Sequence, residues 1–247
     1  MKRFWLIAFF LGGYAGAALA AEPLTGERAH TSAKIHTELA GLYFERGQMG
    51  IALSEIDLAL KAEAGYAPAY NVRGLIHMEL REEKEAEEDF QQSLRLDKTD
   101  SETHNNYGWF LCQHQREKES IAHFMAAVKN PLYATPERAY LNAGLCSQKI
   151  GENKDAADFL QRALRIRADL LPALQAMVEI KFADGDYAAA RQYLAAQGNE
   201  NLTAPQLWLA VRIERRIGDG NAESRYASLL RQRYPDARET QLLMHGE

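Results

Sequence analysis

The sequence contains little that would interrupt helices or build a sheet. Only seven of its 247 residues are proline. Six of these lie near the ends of predicted helix pairs, namely Pro68, Pro131, Pro136, Pro172, Pro205 and Pro235. No segment alternates apolar and polar residues as a half-buried strand does. Because 47% of the residues are apolar, the chain can still bury a core. We therefore predict an all-α protein built as one array rather than as two globular domains.

The sequence also lacks the motifs of common catalytic and ligand sites. It has no H-E-x-x-H pair, no Gly-rich phosphate loop and no Gly-x-Ser-x-Gly segment. Asp184-Gly185-Asp186 and Asp219-Gly220-Asn221 resemble fragments of a calcium loop. Each lacks the ligands that should follow, so turns explain them better. We expect no enzyme activity, no metal and no cofactor.

Basic residues are outnumbered by acidic ones, with 29 Lys and Arg against 34 Asp and Glu. The formal net charge is −5, and no stripe of basic residues is interleaved with aromatic ones. Nucleic-acid-binding domains usually carry such a stripe. We therefore expect no nucleic-acid partner.

The first twenty residues have the features of a secretory signal peptide. Lys2 and Arg3 precede the apolar run Phe4–Leu11, and Ala18-Leu19-Ala20 is a small-residue cleavage site. The apolar run is too short for a stable membrane span, although an uncleaved signal anchor is the alternative. Cleavage after Ala20 would leave the rest of the chain in an oxidising compartment, and we predict the periplasm.

The cleavage region also resembles the lipobox of bacterial lipoproteins. In Leu19-Ala20-Ala21-Glu22, Glu22 stands where the lipidated cysteine would be. We therefore expect no direct lipid anchor.

The strongest pattern is an internal repeat. In Ser101–Tyr133, small and large residues fit the tetratricopeptide template of about 34 residues. A small residue on one helix lets the second helix approach, and a large residue opposite fills the gap. The second-helix pair, small then large four residues later, recurs at positions 52/56, 86/90, 120/124, 156/160, 190/194 and 222/226.

This pattern predicts a right-handed solenoid of six tetratricopeptide repeats. They lie near 33–66, 67–100, 101–136, 137–170, 171–204 and 205–235. The first helix is predicted to begin near Ser32, after a flexible lead-in at 21–31. A capping helix is predicted after the last repeat, within the domain 32–247, and we expect a monomer.

The junction of repeats three and four carries two extra residues within Asn130–Pro136. Thr135 is the predicted N-cap of the next helix, with Pro136 at the first helical position. The loop is either a contact surface or simply a longer turn.

The two cysteines occupy neighbouring first helices of the repeats. Cys112 and Cys146 are 34 residues apart, which excludes a zinc ribbon and a C-x-x-C redox motif. We predict a disulfide between them, with buried free thiols as the alternative.

The first helices of the repeats are expected to line the concave side of the solenoid. We predict a partner-binding groove there, with carboxamides for a peptide backbone and apolar pockets for side chains. Its residues are Phe44, Asn71, Leu75, Met78, Asn105, Asn106, Trp109, Asn142 and Leu145. The alternative is that the asparagines are ordinary repeat consensus and the aromatic residues belong to the core.

The segments NNYGWFLC, NPLYATPERAYLNAGLC and LWLAVRIERRIGDGNAESRYASLLRQRYPDARE resemble the type IV pilus biogenesis/stability protein family (PilF/PilW-like). The resemblance covers about Ile35 to Glu239. It implies six repeats in a periplasmic, outer-membrane-associated pilotin. Such a protein helps the pilus secretin assemble and supports pilus stability and twitching motility. Members of this family are typically lipoproteins, so Glu22 departs from the pattern.

Two other functions compete with this one. The first is a periplasmic tetratricopeptide adaptor for another envelope machine, such as cell-wall synthesis or division. The second is an enzyme, which the absence of a catalytic motif disfavours.

Overall fold

The computed structural model describes residues 26–198, 200 and 202–246. The predicted signal peptide therefore lies outside the described residues. The described part consists of thirteen helices joined by turns and contains no strand, which confirms the predicted all-α repeat fold. The helices are α1 (Gly26–Glu45), α2 (Met49–Ala62), α3 (Ala67–Glu79), α4 (Glu83–Leu96), α5 (Ser101–Gln113), α6 (Glu117–Ala127), α7 (Pro136–Lys149), α8 (Asn153–Ile166), α9 (Leu171–Ala183), α10 (Tyr187–Gln197), α11 (Ala204–Ile217), α12 (Gly220–Arg233) and α13 (Arg238–His245).

The helices pair in sequence as six hairpins, from α1–α2 to α11–α12. We call the first helix of each hairpin its A helix and the second its B helix. Successive A helices contact each other from α1 to α9. The sixth hairpin is different, because α11 packs on α10 and makes little contact with α9. The last helix, α13, packs against α11 and α12.

The second, third and fourth hairpins share one tight contact between their helices. A glycine on the A helix lies beneath a large side chain of the B helix, which leaves no room there for a Cβ atom. An added Cβ would lie 2.8, 2.8 and 2.6 Å from the nearest side-chain atom in the pairs Gly74–Phe90, Gly108–Phe124 and Gly144–Leu160. The large residues are fully buried. This is the packing that the repeat template predicts.

Each hairpin turn contains one residue in the left-handed region. These residues are Gly47, Arg81, Gln115, Gly151, Gly185 and Gly218. Arg81 and Gln115 adopt φ values of 62° and 60°. That region costs a residue with a Cβ atom about 1 kcal/mol, so packing of the hairpins must offset this strain.

The first helix begins earlier than predicted. Gly26–Thr31 falls within the predicted flexible lead-in at 21–31, yet it forms the first turns of α1. His30 explains the difference. Its Nδ1 atom lies 2.9 Å from Glu63 Oε2, and its ring packs edge-on against Tyr66. Both partners lie in the turn between α2 and α3, so α1 gains a contact beyond its own hairpin.

A hydrogen bond within the loop and one buried side chain hold the loop between the third and fourth hairpins. The backbone N–H of Leu132 donates to Asn130 Oδ1 at 3.0 Å. Tyr133 is buried against Ala127 and Ala139. Between these two anchors, the Leu132 side chain is 89% exposed.

The predicted N-cap at Thr135 is only partly correct. Thr135 precedes α7 and Pro136 begins the helix, as predicted, but the Thr135 side chain makes no capping hydrogen bond. Its hydroxyl instead donates to Glu102 Oε1 at 3.3 Å. The Thr135 hydroxyl therefore bonds to a side chain of α5 instead of a backbone N–H group at the start of α7.

An ionic cluster joins the fifth and sixth hairpins. Arg191 on α10 donates to Glu214 Oε1 at 3.1 Å and also contacts Asp219. Glu214 is almost completely buried. Burial raises the pKa of Glu214, while the neighbouring Arg191 opposes that shift.

Candidate functional site

The nine predicted groove residues lie on four neighbouring A helices. α1 carries Phe44; α3 carries Asn71, Leu75 and Met78; α5 carries Asn105, Asn106 and Trp109; and α7 carries Asn142 and Leu145. These helices contact one another in the order α1, α3, α5, α7. The fold thus brings residues that are far apart in sequence onto one stack of helices.

The four asparagines form a continuous chain of hydrogen bonds across this stack. Asn142 Nδ2 donates to Asn105 Oδ1 at 3.0 Å, and Asn106 Nδ2 donates to Asn71 Oδ1 at 3.1 Å. Asn105 Nδ2 lies 3.4 Å from Asn106 Oδ1 and links the two pairs. The chain ties α3, α5 and α7 together.

This chain limits which carboxamides can meet a partner. Asn71 and Asn105 are 7% and 1% exposed, so they act inside the stack. Asn106 and Asn142 are half-buried. The side-chain oxygen of Asn142 accepts no hydrogen bond within the described part of the chain. Of the four asparagines, Asn106 and Asn142 are therefore the two that could form hydrogen bonds with a peptide backbone.

The apolar groove residues are shared between the core and the surface. Leu75 and Met78 pack against the buried cluster that contains Phe90 and Phe110. Trp109 packs against the cluster around Cys112 and Cys146, and each of these side chains is half-buried. Trp109 thus contacts the core and is also partly exposed, so the groove and the core assignments both stay open for it.

Cys112 and Cys146 lie together at the centre of the stack. The structure joins their sulfur atoms in a disulfide, with their Cα atoms 6.0 Å apart. Both residues are buried, and Lys149 Nζ donates to the Cys112 carbonyl oxygen at 2.7 Å. The pair links α5 to α7, the two helices that carry Trp109 and Asn142.

A second chain of polar side chains was missed in the sequence. Gln148 Nε2 donates to Glu179 Oε2 at 3.2 Å, and Gln175 Nε2 donates to Glu179 Oε1 at 2.8 Å. Gln206 Nε2 donates to Gln175 Oε1 at 3.0 Å. The fifth and sixth repeats match the template poorly, so the sequence does not identify their groove positions by comparison with the earlier repeats.

Metal sites and membrane spans are the other features to consider in the described residues. Within the described ranges, no group of three or more His, Cys, Asp or Glu side chains is arranged to hold a metal ion. None of the helices described there is long and apolar enough to cross a membrane.

Comparison with known proteins assigns the family. The tetratricopeptide repeat family matches residues 67–100 and 137–170. The type IV pilus assembly protein PilF of Pseudomonas aeruginosa is 26% identical over 222 residues, which cover 89% of this chain and 88% of PilF. The crystal structure of PilW, a widely conserved type IV pilus biogenesis factor, matches at 32% identity with a TM-score of 0.75. That match covers 86% of this chain and 98% of PilW. The chain belongs to the PilF/PilW family.

The structure of P. aeruginosa PilF supports the same PilF/PilW fold. It matches with a TM-score of 0.80 at 24% identity, covering 89% of this chain and 99% of that one. The match to PilW confirms the family resemblance predicted from the sequence. Two of the segments that carry the resemblance, NNYGWFLC and NPLYATPERAYLNAGLC, correspond to part of α5 and to α7 with the preceding loop. These two segments lie on the helices that carry the disulfide, Trp109 and Asn142.

Proposed function

We propose that this PilF/PilW-family protein is a non-enzymatic, protein-binding scaffold for type IV pilus biogenesis. The observation that carries this proposal is its 32% identity to a type IV pilus biogenesis factor along 98% of that protein. The similarity to the pilus assembly protein PilF, over 88% of its length, supports the same role.

The finer proposal is that it acts as a pilotin. In this proposal it works in the periplasm, at the periphery of the outer membrane, and its partner is the pilus secretin. It assists secretin assembly and pilus stability as a monomer. Glu22 stands where the resemblance places the lipidated cysteine, so in this proposal contact with a protein, and not a lipid, keeps it near the membrane.

The groove suggests how a partner segment is held. Asn142 offers a free carboxamide oxygen to a backbone N–H group. Trp109 and Leu145 are half-buried beside it and offer apolar surface to a side chain. The hydrogen bonds and the disulfide between the A helices hold these groups in place before binding, which reduces the entropy lost on association.

Substitution at the groove centre tests this proposal. Trp109→Glu should weaken secretin binding at least about tenfold, because a carboxylate then replaces apolar contact area. Trp208→Glu is the matched control, since Trp208 is also half-buried on an A helix but lies in the sixth hairpin. Binding would be measured with the purified protein and the periplasmic part of the secretin, and helical content by circular dichroism.

Because Trp109 also contacts the core, a second variant is needed. Asn142→Ala removes the free carboxamide oxygen and the hydrogen bond to Asn105 but little apolar packing, so it should stay folded and still weaken binding. If Trp109→Glu unfolds and Asn142→Ala binds normally, the groove assignment is wrong.

The cellular role is tested by deletion in the native host. Loss of surface pili, of twitching and of assembled secretin multimers is expected, with cell shape unchanged. The wild-type gene should restore all three, whereas the Asn142→Ala gene should restore them poorly. Defective division or cell shape with normal pili would instead support an adaptor for another envelope machine.

A further inference from the structure

A cleft opens where the stack of A helices is interrupted. Its volume is about 750 Å³, and it lies between α9 and α11 beside the segment that follows α10. None of the nine predicted groove residues lines it. Small-molecule and peptide sites commonly have volumes of several hundred Å³. The cleft is therefore large enough for a few residues of an extended chain.

Carboxamides and apolar side chains line this cleft together. Gln175, Gln197 and Gln206 contribute the carboxamides, and Leu171 and Leu202 contribute apolar surface. Leu171 is 53% exposed at the edge of the cleft, whereas Leu202 is buried at its base. This combination suits a peptide, whose backbone needs hydrogen-bonding partners and whose side chains need apolar contact.

Hydrogen bonds hold two of these carboxamides, those of Gln175 and Gln206, in fixed positions. Gln206 Oε1 accepts from the Thr203 backbone N–H at 2.8 Å as part of a capping box, and Gln206 Nε2 donates to Gln175. The Gln197 side-chain oxygen is buried without a donor among the described residues. Buried acceptors usually have partners, so this oxygen is a candidate acceptor for a bound N–H group.

Acidic side chains lie at the cleft, while Arg233 approaches it from α12 and donates to the Glu200 carbonyl oxygen at 2.9 Å. Glu179, which is exposed, accepts from Gln175 and Gln148 and forms no ion pair within the part of the chain that the structure describes. Glu200 lines the cleft itself. No described residue that lines it is Lys or Arg. A cationic side chain would therefore be attracted to this end of the array.

We propose that the cleft between α9 and α11 binds an extended peptide segment of a protein partner, in which an apolar residue lies close to a Lys or Arg. The apolar side chain packs on Leu171, backbone N–H groups bond to the carboxamide oxygens, and the cation pairs with Glu179. This site shares no residue with the groove around Trp109. It adds a second contact to the proposed scaffold and does not depend on the groove.

Synthetic peptides test the cleft directly. The probe is a fluorescein-labelled peptide of about ten residues with Leu and Lys separated by Ser, long enough to span the cleft in extended form. One comparison peptide has Glu for each Lys, and the other has Ser for each Leu. Fluorescence anisotropy with the purified protein should show saturable binding of the first peptide. We expect each comparison peptide to bind at least about tenfold more weakly.

Variants then locate the binding. Leu171→Asp should weaken binding of the first peptide about tenfold. The matched control Leu58→Asp, at a leucine that is 45% exposed on α2, should not. Glu179→Gln should reduce the preference for Lys over Glu peptides, because it removes the charge and keeps the size of the side chain. Circular dichroism would confirm that all three variants are folded.

Three results would overturn the inference. The first is the absence of saturable binding up to about 1 mM peptide. The second is binding that Trp109→Glu abolishes and Leu171→Asp does not, which would place the peptide in the groove and leave the proposed function intact. The third is self-association of the protein that Leu171→Asp abolishes, which would assign the cleft to a second copy of this chain.

Discussion

At the scale of single residues, three glycines decide how closely the helices of a hairpin approach. Gly108 is the central example, because an added Cβ would lie 2.8 Å from the ring of Phe124. Phe124 is fully buried, so its ring has no free space into which it could move. The small–large pattern in the sequence is therefore a steric requirement of the hairpin.

Gly108→Ala should consequently lower the free energy of unfolding by about 1–3 kcal/mol, as overpacking of a core does. The control is Gly41→Ala on α1, where an added Cβ meets nothing within 4 Å. That change should leave stability unaltered or raise it by up to about 1 kcal/mol, because alanine favours the helix. Urea unfolding followed by circular dichroism measures both. Equal effects of the two substitutions would contradict the steric explanation.

A second feature at this scale is a pair of histidines between α5 and α6. His104 Nδ1 lies 2.9 Å from His123 Nδ1, and the His123 ring also packs against Tyr107. Burial, together with the charge of His104 when protonated, lowers the pKa of His123 from 6.5 to about 4; nearby Glu119 opposes this shift and Arg116 adds to it.

The protein should therefore lose stability as the pH falls from about 6.5 to about 4. In that pH interval His123 is protonated in the unfolded chain but not in the folded chain, so protonation favours unfolding. His123→Gln should make stability less dependent on pH over the same interval. The measurement is urea unfolding at a series of pH values, with an NMR titration of His123. A folded-state pKa near 6.5 would show that the prediction is wrong.

At the scale of helices, the disulfide joins two A helices that lie in different hairpins. Cys112 on α5 and Cys146 on α7 close a loop across a sequence separation of 34 residues. The bond therefore supports the alignment of Asn105 and Trp109 with Asn142.

Reduction of this bond should lower the free energy of unfolding by roughly 3–4 kcal/mol on the chain-entropy model. Unfolding of the wild-type protein would be compared with and without reductant. The Cys112→Ala/Cys146→Ala variant is the control, because reductant should leave its stability unchanged. Alkylation of both cysteines in unreduced protein, seen by mass spectrometry, would exclude the bond.

At the scale of the whole molecule, the array is not uniform. A chain of asparagines connects the A helices of the second to fourth hairpins, and a chain of glutamines around Glu179 continues to the sixth. Between α9 and α11 the A helices separate and the cleft opens. The proposed groove and the proposed cleft are therefore two different surfaces of one array.

The location of the molecule is tested by its mature N-terminus. We expect a periplasmic protein that begins at Ala21 and carries no lipid, because the cleavage site follows Ala20 and the lipobox lacks cysteine. Removal of Lys2 and Arg3 would change the formal net charge from −5 to −7 (−5 minus 2). Fractionation of the native host with intact-mass measurement checks this. A membrane-bound species that retains Met1–Ala20 would contradict it.

The sequence by itself determined the repeat fold and the family. The small–large pattern with a recurring spacing has only one packing solution, in which Gly74, Gly108 and Gly144 lie beneath large residues. The same register placed Cys112 and Cys146 on adjacent A helices, close enough for the bond that the structure shows. These features follow from local spacing, so no knowledge of distant contacts was needed.

The tertiary structure decided what depends on distant contacts. It extended α1 back to Gly26, because His30 meets the turn between α2 and α3. It showed that Asn71 and Asn105 are buried within the stack, which leaves Asn142 with the free oxygen. It also revealed the cleft beside Gln175. The distance between two A helices depends on how whole hairpins pack and are connected, so the spacing of residues in the sequence does not predict it. Spacing along the chain specifies which residues share a face, whereas packing in three dimensions determines which of them remain accessible.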